Sequence, residues 1–87
     1  GDPIMRFEED HLRMLRAIRF SANFAFPIEL ETRKAIVLLA GKVESVSPER
    51  LAAELRLMFS RHGRGEALRL LVGTNLIGPL FGHRLKE

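Results

Sequence analysis

Glu9, Asp10 and Arg13 stand at steps of one, three and four residues, a spacing that sets all three on neighbouring positions of one helical face. Arg16 continues that face by one further turn. Two chemistries are open to such a set. A carboxylate beside a guanidinium fork offers a mixed acceptor and donor edge, the complement of a nucleobase's Watson–Crick edge, with Glu9 holding the Arg13 fork in one rotamer. The same residues also make an ordinary surface ion pair, Glu9 to Arg13 in the favourable i, i+4 orientation, contributing roughly 0.2–0.5 kcal/mol. Spacing alone does not choose between them.

Other constellations carry less. Glu49, Arg50 and Glu54 form a second charged set, with Arg50 to Glu54 again at i, i+4, suited to bracing the first helix or to touching a ligand. Arg61, His62, Arg64 and Arg69 make a looser basic cluster that suits RNA phosphate or a solvated helix end, and no aromatic residue is interleaved with it in sequence. His11, His62 and His83 have no spacing that gathers them on a metal, and Ser60 near His62 lacks an acidic third member. Gly63-x-Gly65 is too short for a phosphate-binding loop and follows no strand, so it reads as a turn.

The elements that must position these residues are helical, because apolar residues recur at three and four rather than at two. The fold class is all-α, a compact bundle of four to five short helices in a single domain over residues 1–87. The first helix is expected from near Glu8 to about Asn23, with Glu8, Glu9 and Asp10 in its first turn, where carboxylates favour the positive end of the dipole. Leu12, Met14, Leu15, Ile18 and Ala22 form its apolar side, Pro27 enforces a break, and Phe20, Phe24 and Phe26 are expected in the core around that corner.

A second helix is read over Leu30 to Ala40, with Ala35, Ile36 and Leu39 inward and Gly41 as a left-handed stop. The third start is the clearest: Ser47 as N-cap, Pro48 in the first helical position and Glu49 just inside, followed by the stripe Leu51, Leu55, Met58 and Phe59. A fourth helix runs from about Glu66 to Val72 and ends at Gly73, and Leu76 to Phe81 adds a short turn or helix interrupted by Pro79.

Composition bounds the possibilities. Eighty-seven residues, 46% apolar and 29% charged, make one small core, and a chain of this size buries only about 60–65% of its unfolded surface. The absence of cysteine excludes a disulfide framework, a thiolate metal site and a Cys nucleophile. The longest apolar run, Ala35 to Ala40, is far short of the ~20 residues of a membrane span. With no signal-peptide pattern at the N-terminus, the expectation is a soluble, cytoplasmic protein with no membrane partner. Eleven of the 14 basic residues are Arg, with Lys only at Lys34, Lys42 and Lys86, and the planar Arg fork suits phosphates, carboxylates and base edges.

The ordered string Gly1-Asp2-Pro3, Arg6-Phe7 and Glu9-Asp10-His11-Leu12-Arg13-Met14-Leu15-Arg16-Ala17-Ile18-Arg19-Phe20 resembles the bacterial CCA-adding tRNA nucleotidyltransferase and poly(A) polymerase family, class II. The resemblance continues through Phe26, Ile28-Glu29, Glu31-Thr32, Ala35-Ile36, Val46-Ser47, Glu49-Arg50-Leu51 and Glu54-Leu55 to Leu80-Phe81. It implies the helical neck that follows a catalytic head, in which Asp10 and Arg13 would act as a protein template for the base of incoming ATP or CTP, and Glu9 would orient Arg13. Arg16 is added as a ribose or phosphate contact from its position on the same face alone. Two positions depart from the family pattern: Ala25 and Asn75 stand where glycine is common, and of the two only Asn tolerates the left-handed region well.

The resemblance further implies an N-terminal catalytic head domain as partner, a tRNA or other RNA 3′ end as substrate, and Mg²⁺ held by an Asp-x-Asp pair in that head. This chain has two aspartates, Asp2 and Asp10, so no cofactor is expected on these residues and the fragment alone is expected to be inactive. CCA addition and polyadenylation share this neck pattern. The alternatives are a stand-alone RNA-binding module, which needs one continuous basic stripe, and a helical interaction domain without catalytic role.

Overall fold

Asp2 and Pro3 open the first helix: Asp2 Oδ1 accepts from the Ile4 amide at 3.0 Å, and Pro3 takes the first helical position, where its missing N–H costs nothing. This helix, α1, is Pro3–Glu9. It stops at Asp10, whose backbone is extended at φ −155 and ψ 107. Asp10 then uses its side chain to start again, Oδ1 accepting from the Leu12 amide at 3.1 Å. The second helix, α2, is Leu12–Phe24. The single helix expected from Glu8 is therefore two, and Glu8 and Glu9 close α1 instead of opening a longer element.

The computed structural model describes the backbone of residues 2–86 and the side chains of residues 2–82. Beyond α2 lie α3 (Leu30–Leu39), a 3-10 segment (Ala40–Ser45), α4 (Pro48–Phe59), α5 (Arg64–Gly73) and α6 (Ile77–Lys86), with no strand among the described residues. The all-α expectation holds, with six α-helices in place of four to five. Gly41 is not a left-handed stop, since the chain tightens there into the 3-10 segment. Ser47 caps α4 as expected, its Oγ accepting from the Arg50 amide at 3.3 Å. Pro79 sits in the first turn of α6, where no intrahelical donor is needed, and so does not interrupt it.

Three described residues have positive φ: Ala25 at 58°, Asn75 at 67° and Gly63 at 92°. The first two are the positions where the sequence departs from glycine. Ala25 ends α2 in the left-handed conformation, with its amide and that of Phe26 both donating to the Ser21 carbonyl. Asn75 follows the end of α5, as its short polar side chain allows. Gly63 precedes α5 and lies against α2, where an added Cβ would stand 2.0 Å from the Ala22 carbonyl oxygen.

The core is organised on α2, which packs on α4 and α5 while α1 packs on α3. Met14, Leu15 and Ile18 are fully buried against Ile36, Met58, Leu71 and Leu76, each side chain contributing about 1.5–3 kcal/mol relative to exposure. Phe20, Phe24 and Phe26 depart from expectation: they are 50%, 50% and 65% exposed. Ile18 and Ala22 occupy the inward stripe of α2, and residues two positions on, Phe20 and Phe24, point to the opposite side. No helix among the described residues is long and apolar enough to cross a membrane.

Candidate functional site

Arg13 lies in the first turn of α2, but the groups that aim it belong to α1. Its Nη1 donates to Glu9 Oε1 at 2.7 Å and to the Arg6 carbonyl at 3.3 Å. The Glu9–Arg13 pair thus survives the break between the helices. The guanidinium lines a cleft of about 440 Å³ together with Arg6, Arg16, Phe7, Ala17 and Phe20, and with Glu29 and Thr32 from the cap and first turn of α3. Three guanidinium groups and one carboxylate line this cleft, and Phe20 gives it one flat apolar wall.

Asp10 is placed differently. Its Oδ2 accepts from Arg50 Nη2 at 2.9 Å while Oδ1 caps Leu12, and it is not among the residues lining the cleft. The Arg50 hydrogen bond holds the Asp10 carboxyl below its ordinary value of 3.8, against a smaller opposing effect of burial, and the charge of Arg13 adds only weakly. Asp10 and Arg13 are therefore neighbours oriented by different partners, Arg50 from α4 and Glu9 from α1.

The second charged set is redistributed. Arg50 and Glu54 do not pair with each other: Arg50 goes to Asp10, and Glu54, only 4% exposed, accepts from Arg19 Nε and stands 3.5 Å from Arg16 Nε. α4 does brace the first helical region, through Arg50 to Asp10 at the break between α1 and α2 and through Glu54 to Arg19 and Arg16 on α2. Arg19 and Glu54 were not singled out as partners by spacing. The available cue was that Glu54 falls on the same stripe as Leu51 and Met58, where a charge needs a buried partner.

Of the basic cluster, Arg61, His62 and Arg64 line a second notch of about 580 Å³, which Asn23 and Phe24 complete. Arg69 is turned aside, bonded to Glu66 at 2.7 and 3.1 Å. Phe24 is the aromatic residue that linear order hides, since it comes from α2, far from the loop in sequence. His11 Nδ1 lies 2.8 Å from Ser45 Oγ, and the His83 side chain lies outside the described residues. Among the described residues no three His, Asp or Glu side chains gather where they could hold a metal ion.

Residues 25–84 match the family described as the probable RNA and SrmB-binding site of polymerase A. The chain belongs to this family. Within the CCA-adding and poly(A) polymerase family, a CCA-adding enzyme of Geobacillus sp. (strain WCH70) is 42% identical over 87 residues, all of this chain and 22% of that protein. A CCA-adding enzyme of Anoxybacillus flavithermus is 39% identical over 80 residues, 92% of the chain and 20% of that protein. That of Bacillus subtilis (strain 168) is 38% identical over 82 residues, 94% and 21% respectively. The chain thus spans about a fifth of the length of these relatives. The family match begins after α2, whereas the Geobacillus alignment also takes in Glu9, Asp10, Arg13 and Arg16.

Proposed function

We propose that this chain is the nucleotide-selecting neck of a template-independent RNA nucleotidyltransferase, which extends the 3′ end of tRNA or another RNA. Arg13 and Asp10 read the base of incoming ATP or CTP, Glu9 fixes the Arg13 fork, and Arg16 meets the ribose or phosphate. The transfer chemistry belongs to a catalytic head domain of the same polypeptide, outside these residues, whose carboxylates hold Mg²⁺.

The observation that supports this reading is the division of labour within Arg13. Nη1 is engaged by Glu9 and the Arg6 carbonyl, while the remaining N–H groups make no hydrogen bond among the described residues and the side chain lines the cleft with Arg16 and Phe20. One edge of the fork is locked and the other is available, the arrangement that a base-reading donor pair requires. Asp10 keeps an acceptor role because each carboxylate oxygen that already takes one bond retains a second lone pair.

The test is Arg13→Ala in the full-length polypeptide, assayed for incorporation of each of the four nucleotides onto an RNA 3′ end. Discrimination should fall by roughly 5- to 150-fold, the equivalent of the ~1–3 kcal/mol carried by a bidentate base contact. Thermal unfolding should change little, because Arg13 is 38% exposed. Unchanged nucleotide preference refutes the assignment.

A further inference from the structure

We propose that the notch between the end of α2 and the α4–α5 loop seats single-stranded RNA, with one base stacked on Phe24 and backbone phosphates held by Arg61 and Arg64. The choice of ligand rests on reading the chain as part of an RNA-extending enzyme, whereas the site itself is read from residues that the base-reading role does not use.

Phe24 is half exposed and stacks on Phe20, ring centroids 5.8 Å apart and planes 27° from parallel. The Arg19 guanidinium lies over the Phe20 ring at 4.9 Å, so the pair is supported from beneath and presents a firm apolar face to solvent. A nucleobase fits such a face whatever its identity, since every base offers a π surface. Phe20 lines the Arg13 cleft and Phe24 lines the notch, so the stacked rings stand between two arginine-lined depressions.

No carboxylate lines the notch, and neither Arg61 nor Arg64 makes an ion pair among the described residues. Two unneutralised forks beside an exposed ring are the combination that holds a nucleic-acid strand, phosphates on the cations and a base on the aromatic. The loop that carries Arg61 and leads into Arg64 at the start of α5 is pinned in place. Asn23 Nδ2 donates to the Met58 carbonyl at 3.2 Å and to the His62 carbonyl at 2.9 Å, and Gly63 brings the loop backbone against Ala22. The backbone that carries the two arginines is thus set beside Phe24 before any ligand arrives, which lowers the cost of ordering the site. A strand crossing the stacked rings from this notch would deliver its end to the cleft of Arg13 and Arg16.

The experiment uses the full-length polypeptide and a short fluorescein-labelled single-stranded RNA of mixed sequence, its affinity followed by anisotropy over a series of salt concentrations. Phe24→Ala should weaken binding by roughly 5- to 150-fold. Arg61→Gln with Arg64→Gln should lower the slope of log affinity against log salt by about 1.4, at ~0.7 for each phosphate no longer neutralised, whereas Arg61→Lys with Arg64→Lys should keep the wild-type slope. Phe24 is half exposed and Arg61 and Arg64 are exposed, and unchanged unfolding temperatures establish that the fold is intact. Nucleotide preference should stay at the wild-type ratio in every one of these variants, which separates this site from the one tested by Arg13→Ala. A wild-type salt slope in the double Gln variant, or wild-type affinity in Phe24→Ala, overturns the proposal.

Discussion

Glu54 is the structural member on which α2 and α4 are joined, and removing its main partner should be among the costliest changes in the chain. The carboxylate is 4% exposed and accepts from Arg19, whose own side chain is 16% exposed, while Arg16 stands 3.5 Å away and half exposed. Stripping one partner from a buried ion pair costs about 3–5 kcal/mol, because the charge left behind remains desolvated. Arg16 remains to compensate part of that, which brings Arg19→Met down to about 2–3 kcal/mol. A domain of this length has a total stability of about 4–13 kcal/mol, so the loss would be visible at once as a shifted midpoint in urea. Replacing both partners, Arg19→Met with Glu54→Leu, leaves no charge stranded and should recover to within about 1 kcal/mol of wild type. The assay is urea unfolding followed by far-UV circular dichroism on the wild type, both single variants and the double. A coupling energy below about 0.5 kcal/mol in that cycle would refute the description of Glu54 as a buried, pair-dependent charge.

Two further outcomes follow from the backbone and from charge. Gly63→Ala should destabilise by roughly 2–4 kcal/mol, since the new methyl meets the Ala22 carbonyl at 2.0 Å and φ is 92°, whereas Gly65→Ala, with open space around it inside α5, should gain about 0.5–1 kcal/mol; thermal melts of the pair distinguish a required glycine from a spare one. For Asp10, a folded-state pKa lowered by Arg50 means that the carboxylate's contribution is complete above its ordinary value of 3.8 and is lost as pH falls through the lower folded value. Asp10→Asn should therefore lose less stability than wild type on acidification below about pH 4, and wild-type and variant curves that stay parallel there would exclude a stabilising Asp10–Arg50 bridge.

Much of the scaffold was legible where one local signal suffices. Ser47-Pro48 starts α4 by capping chemistry that needs no tertiary partner, and the inward residues of α2 repeat at helical spacing. The division of α1 from α2 was obscured because Asp10 belongs equally well in a helix's first turn and at its cap, although Asp2-Pro3 carries the same start signal as Ser47-Pro48. Within the candidate site, Glu9 to Arg13 was readable from i, i+4 spacing. Asp10 to Arg50 and Arg19 to Glu54 were not, since each bridge joins residues 35 or more apart in sequence and depends on how the helices pack. Phe20 and Phe24 failed for a related reason: aromatic character favours burial, but position on α2 decided it, and the inward stripe was already full, while Phe26 lies past the left-handed turn at Ala25 that ends α2.

The break at Asp10 gives Arg13 a property that a continuous helix would deny it. Its Cα rides on α2, yet both acceptors of Nη1, Glu9 and the Arg6 carbonyl, ride on α1. The direction of the fork is consequently a readout of the angle between two separate rods, the first only seven residues long and held against α3. In a straight helix the same pair would be frozen by local geometry. Here the aim of Arg13 is set by tertiary packing instead: Phe7 seats α1 in the shared core and α3 backs it, so the fork points where the core places the first rod.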